Sequence, residues 1–268
     1  MLRSRVLTAL VLVGLLLAVV LRAPPAIAFA ALALVFALAA GEWAAFAGLR
    51  SAAGRLGYVL LLGAVGAALH VWVDDYDRLA QVLGATLVWW CVALGWILLA
   101  PARCSRLAAA VAGALTLVPA WLATVWLYAG SPRGEWLVLF AIGLVGAADV
   151  GAFFAGRYFG RLPLAPRVSP KKTWEGVIGG FGVAFLYALA INAGWLGLAW
   201  WPFAALAAAA ILLSVVGDLA ESLFKRRSGL KDSGTLLPGH GGVLDRLDSL
   251  TAAVPLLALG FAWLGELR

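Results

Sequence analysis

Within the 27 residues from Ser222 to Asp248 the chain places five Lys or Arg, three Asp and one of its two histidines, His240, in a Gly-His-Gly-Gly turn. Across the start of this stretch, Asp218, Glu221, Ser222 and Lys225 follow the spacing i, i+3, i+4, i+7 and so share one helix face. Asp245 and Asp248 repeat the i, i+3 spacing at the start of the next apolar run, with Arg246 between them. Two carboxylates, Asp218 and Asp245, on facing helix ends and ringed by Lys225, Arg226, Lys231 and Arg246 suit a Mg²⁺ site for a phosphorylated substrate. Mg²⁺ is held by one or two carboxylates plus phosphate oxygens. Asp232 follows Lys231 in the turn, and Gly241 and Gly242 allow backbone to approach a ligand closely. For Asp248 the simpler reading is a helix-start carboxylate stabilised by the dipole.

A second cluster lies upstream. Asp149 interrupts a Gly- and Ala-rich apolar run, where a carboxylate costs about 2.5–3.5 kcal/mol without a partner. An ion pair with a loop arginine, a metal or water would each satisfy it. Ser169-Pro-Lys171-Lys172-Thr173 gathers phosphate-compatible donors, and Thr173 is placed to cap the helix that follows. A basic loop lying on lipid headgroups accounts for it equally. No Gly-rich nucleotide loop ending in Gly-Lys-Ser/Thr is present, and no His/Cys spacing points to zinc.

The elements that must position these residues are apolar. Of 268 residues, 64% are hydrophobic and 12% charged, against roughly 45–50% and 25% for soluble domains. Nine windows of about 20 residues suit a membrane helix: 6–22, 26–47, 56–73, 80–100, 106–129, 135–156, 174–196, 200–220 and 249–266. The expected fold is therefore an all-α polytopic membrane protein with about nine transmembrane helices. If the N-terminus is cytoplasmic, sixteen of the twenty Lys and Arg fall on the cytoplasmic side and four on the other. This puts the C-terminus outside, both basic loops (157–173 and 221–248) in the cytoplasm, and the turn Asp74-Asp75-Tyr76-Asp77 outside. Arg3, Arg5 and the Ala26-Ile27-Ala28 sequence resemble a signal peptide. The apolar run is long for one, so a retained first helix is expected. Arg22-Ala-Pro-Pro25 breaks the first pair so tightly that a hairpin short of a full crossing is an alternative.

Glu42 is the one carboxylate in the apolar runs of the first five helices, and His70 reads as an interfacial histidine. Cys91 and Cys104 read as small apolar side chains without a disulfide. Residues 1–134 are read as an N-terminal membrane region of five helices, for lipid binding or dimer support. Residues 135–268 are read as the catalytic region.

The motif residues resemble the phosphatidate cytidylyltransferase, or CDP-diacylglycerol synthase, family. Its signature is met by Ser222, Lys225, Arg226, Lys231, Asp232, Gly234, Pro238, His240, Gly241, Gly242, Asp245, Arg246 and Asp248. The segment from Asp149 through Gly156-Arg157, Gly160-Arg161 and Ser169 to Gly176 is also similar, although Phe153 stands where a tyrosine is common. Motif-level resemblance covers about residues 149–248.

The resemblance implies cytidylyl transfer from CTP to phosphatidate, giving CDP-diacylglycerol and pyrophosphate, with Mg²⁺ and room for a second cation. It also implies a bacterial-type inner-membrane homodimer with no nucleic-acid partner. Asp218 and Asp245 would hold the metal, and Lys225, Arg226, Lys231 and Arg246 would neutralise the triphosphate. Ser169, Lys171, Lys172 and Thr173 would receive a substrate phosphate, and His240 would donate to pyrophosphate or shape its turn. Ser222 and Asp232 join the binding set, and Asp149 and Asp248 act as ligands or orienting groups. A related CTP-dependent lipid cytidylyltransferase or a lipid-alcohol kinase is the nearer alternative, and a transporter the distant one. Transporters place their ionisable groups at the membrane midplane, whereas here they gather at one face.

Overall fold

A computed structural model describes residues 2–101, 104–237 and 241–267. Among them run the helices α1 (Leu2–Arg22), α2 (Pro25–Phe46), α3 (Ala52–Trp72), α4 (Tyr76–Leu99), α5 (Arg106–Ala129), α6 (Gly134–Phe159), α7 (Trp174–Ile191), α8 (Trp200–Arg227) and α9 (Leu244–Trp263). Seven of them, α2 to α8, are long and apolar enough to cross a membrane, α7 together with the π-helical turn that extends it to Leu196. The protein is an all-α polytopic membrane protein, as its composition requires.

Helix ends follow local chemistry. Pro25 opens α2 at the first helical position, where its missing N–H is no loss. Ser51, Asp75 and Ser105 cap α3, α4 and α5 by accepting from Gly54, Arg78 and Ala108 N–H groups at 3.1, 2.8 and 3.0 Å. The Asp74-Asp75-Tyr-Asp77 turn is thus a helix start, and Arg78 pairs with Asp74 at 2.7 Å. His70 is exposed, edge-on to Trp121. Cys91 and Cys104 are free thiols, and Cys91 lies exposed on α4 rather than filling a core.

The segment 157–173 departs from a plain loop. After α6 it forms a short antiparallel hairpin, β1 (Pro163–Ala165) with β2 (Ser169–Thr173), in the register Ala165 to Ser169 and Pro163 to Thr173. Proline biases the residue before it towards extended backbone, and Pro163, Pro166 and Pro170 fall within this stretch. Val168 at the hairpin turn is buried, anchoring it to the helices beneath.

Two apolar clusters hold the bundle. One joins Leu79, Leu83, Leu122, Leu127, Leu137, Phe140, Phe203 and Phe261. The other, nearer the hairpin, joins Trp43, Phe46, Trp90, Leu223, Phe224, Leu244 and Val168. The second takes residues from α2 and α4 as well as α8 and α9, so the early helices pack directly beneath the charged segments. At the opposite end of the bundle, Arg133 before α6 donates to both Glu266 oxygens at 2.6 and 2.7 Å, and to the Leu196 carbonyl at 3.3 Å.

Two helix pairs aim the polar residues. α6 and α7 meet through glycine: a Cβ on Gly151 would lie 2.7 Å from the Gly179 carbonyl oxygen and 2.9 Å from Val183 Cβ. Such small-residue contacts let two membrane helices approach backbone to backbone. α8 and α9 meet in the same way at Gly217, where a Cβ would lie 2.5 Å from the Asp248 carbonyl oxygen.

Candidate active site

α8 carries Asp218, Glu221 and Lys225 down one face, and α9 carries Asp245 and Asp248. Because Gly217 crosses at Asp248, Asp218 lies at the level of Asp248. Glu221 and Lys225 lie one to two turns further along, beside Asp245. Lys225 Nζ donates to Asp245 Oδ1 at 2.7 Å and lies 3.4 Å from Glu221 Oε2. Its side chain is 14% exposed, that of Asp245 8% and that of Glu221 1%. One lysine thus serves two buried carboxylates. Neither Glu221 oxygen has a hydrogen-bond donor among the described residues, and Glu221 lies against Asp248.

The hairpin closes the other side. Lys172, on β2, is ion-paired with Asp218. Asp149, exposed on α6, lies within electrostatic reach of Asp218, Lys172 and Arg246. Its cationic neighbours come from β2 and α9, so α6, β2, α8 and α9 all contribute to one charged cleft. Thr173 is the cap of α7, its hydroxyl accepting from Gly176 N–H at 3.2 Å. Ser169 and Ser222 are half-buried; Lys171, Arg226, Lys231, Asp232 and Arg246 are exposed. His240, with Pro238 and Gly239, lies outside the described residues.

Asp248 does not cap α9. It accepts from the Ser249 N–H at 2.8 Å and is half-buried. The amides at the start of α9 go elsewhere. Asp245 Oδ2 accepts from Gly242 N–H at 2.8 Å and Ser233 N–H at 3.0 Å. Glu42, from α2, accepts from Leu244 N–H at 2.8 Å, Val243 N–H at 3.1 Å and the Ser233 hydroxyl at 2.9 Å. The glycines of the turn admit these carboxylates. Gly241 has φ +82°, and a Cβ there would lie 2.6 Å from Asp245 Oδ2, while at Gly242 it would strike Ser233 and Glu42.

The charged groups brought together are hard oxygen ligands and cations, with carboxylates in excess around Asp218, Glu221, Asp245 and Asp248. This arrangement can receive phosphates and suits an oxygen-seeking divalent cation. No cluster of three or more ligating side chains is assembled among the described residues, so phosphate oxygens and water would complete any such shell.

A profile of the Cytidylyltransferase family matches residues 3–264. The chain belongs to this family. Phosphatidate cytidylyltransferase of Pseudomonas aeruginosa is 42% identical over 96% of both chains. That of Haemophilus influenzae is 38% identical over 96% of this chain and 98% of its own. The Brucella suis protein of the same name is 47% identical over 48% of this chain and 47% of its own. For a cytidylyltransferase such a site is chemically apt, because CTP is a polyanion that lysines attract and that a divalent cation held by carboxylates would neutralise.

Proposed function

We propose that this chain transfers the cytidylyl group of CTP to phosphatidate, releasing pyrophosphate and forming CDP-diacylglycerol. One observation carries the reading. Two ion pairs, Lys172 with Asp218 and Lys225 with Asp245, set cations beside carboxylates where the hairpin, α8 and α9 meet, in a chain whose relatives matched over 96% of its length bear that enzyme's name.

A phosphatidate phosphate oxygen attacks the α-phosphorus of CTP. The bond from that phosphorus to the bridging oxygen of the β-phosphate breaks, and pyrophosphate leaves with the electron pair. No enzyme nucleophile is needed, since the attacking monoester is already an anion. Catalysis then consists of positioning and charge neutralisation. Lys171, Arg226 and Lys231 are exposed around the cleft and draw in polyanions. Lys225 and Lys172, each fixed by a carboxylate, hold the walls. Ser169, Thr173 and Ser222 offer hydroxyls to phosphate, with Asp232 and His240 in the same turn-borne set. Asp218 and Asp245 would hold Mg²⁺, with Asp149 and Asp248 orienting the groups around it. When bound, the ion would offset charge developing on the triphosphate.

The site is assigned to the cytoplasmic face of a bacterial inner membrane, supported by the charge asymmetry of the loops and by CTP being water-soluble. The same assignment puts the N-terminus inside, the C-terminus outside and nine helices across the bilayer, with residues 1–134 supporting the catalytic 135–268. Labelling a single cysteine at Lys231 from one side of sealed vesicles tests the orientation. The homodimer implied by family resemblance is tested by detergent-corrected mass. Purified protein given radiolabelled CTP, phosphatidate and Mg²⁺ should form labelled CDP-lipid. Labelled product with an unphosphorylated lipid alcohol, and none with phosphatidate, would overturn the reading.

A further inference from the structure

We infer that Glu42 is a positioning residue for the reaction, holding Asp245 in place from a helix some 200 residues away in sequence. The inference rests on the assignment of Asp245 to the active site.

Glu42 is half-buried near the end of α2, in an otherwise apolar helix. A carboxylate in such a place needs several donors, and among the described residues those of Glu42 come from one stretch of chain: the Ser233 hydroxyl and the Val243 and Leu244 amides. α9 begins after Val243, which has no side-chain cap of its own. Two of the amides left open at that helix start are therefore closed by Glu42.

The link to Asp245 is geometric. Ser233 stands between the two carboxylates, giving its hydroxyl to Glu42 and its amide to Asp245. Gly242 gives its amide to Asp245, while the next two amides go to Glu42. A shift of either the Ser233 backbone or the first turn of α9 therefore moves Asp245 and the Lys225 that it holds. A Cβ at 234 or 242 would push the Glu42 carboxylate out of this contact. Among the described residues, the hydrogen bonds of Glu42 fall in the same segment that holds Asp245.

The test compares E42Q and D245N with the wild type in detergent. Glutamine keeps the size but turns an NH₂ group towards backbone donors. For E42Q, kcat per folded molecule should fall at least about tenfold, with a smaller change in KM for CTP. Amide hydrogen exchange over 233–247 should speed up about tenfold or more, while exchange in α5 and α6 stays unchanged. Wild-type kcat per folded molecule overturns the inference, as does reduced kcat with unaltered loop exchange. If E42Q does not fold, S233A removes only the hydroxyl bond and should show the same pair of changes at smaller size; wild-type kcat in S233A together with faster loop exchange overturns the inference. A fully active D245N sinks the active-site assignment itself. An inactive D245N beside a normal E42Q sinks only the role of Glu42.

Discussion

Lys225 Nζ lies 2.7 Å from Asp245 Oδ1 and joins α8 to α9 at the point where their charged faces meet. The same ammonium is 3.4 Å from Glu221, whose side chain is 1% exposed. Removing a buried cation leaves its carboxylates uncompensated, which costs about 3–5 kcal/mol. K225M should therefore lower the thermal unfolding temperature in detergent and abolish turnover. Adding E221Q removes one of the stranded charges and should recover part of the stability but none of the activity. Recovery of both would show that Lys225 acts only as a structural ion-pair partner.

Asp218 is held by Lys172 from the hairpin, with both side chains partly exposed. D218N keeps the shape and removes the charge. It should reduce kcat by about 100-fold or more, the scale seen when one electrostatic group is lost from a transition state, with little change in unfolding temperature. K172A should act mainly on substrate binding, raising KM by about tenfold. Steady-state kinetics with CTP and phosphatidate varied in turn separates the two effects. It also identifies the substrate whose phosphate Lys172 meets.

The helical, membrane-spanning class was legible because the apolar runs are of membrane length and broken by Arg, Pro or Asp; of the nine runs expected, α2 to α8 are long and apolar enough to cross. The charged cleft was legible because i, i+3, i+4 spacing puts Asp218, Glu221 and Lys225 on one face whatever the tertiary fold. Three things were not. The hairpin 163–173 is too short to show a period of two, and its three prolines mark it only as irregular. Which lysine meets which carboxylate depends on the α8–α9 crossing at Gly217, a contact between residues 31 apart. Glu42 was visible as a lone carboxylate in an apolar helix, yet its partners at 233, 243 and 244 carry no local sign of it. The expected capping role of Asp248 failed for the same reason: Asp245 and Glu42 already hold those amides.

Arg133 bridges Glu266 and the end of the π-helical turn (Asn192–Leu196). It precedes α6, whose 26 residues place it roughly 39 Å from the hairpin end of that helix. R133M should lower stability by about 1 kcal/mol, discounted because the guanidinium is partly exposed. KM for CTP should stay unchanged. Thermal unfolding and kinetics on one preparation check both halves, and a raised KM would show that the two ends of the bundle are coupled.

Gly151 and Gly146 lie on the same helix and make opposite predictions. At Gly146 a Cβ meets nothing within 4 Å, and alanine is favoured over glycine in a helix by about 1 kcal/mol. G146A should leave stability equal or slightly higher and activity intact. At Gly151 the added carbon meets the Gly179 carbonyl and Val183. These belong to backbone and a branched side chain, so the helices must move apart, at about 1–3 kcal/mol. α6 carries Asp149 and α7 follows directly from the strand bearing Lys172, so widening this crossing separates two walls of the cleft. G151A should lose turnover beyond what its lost stability explains, measured as kcat per folded molecule at a temperature where both variants remain folded. Equal specific activity in G151A and G146A would mean that the α6–α7 spacing does not set the geometry of the site.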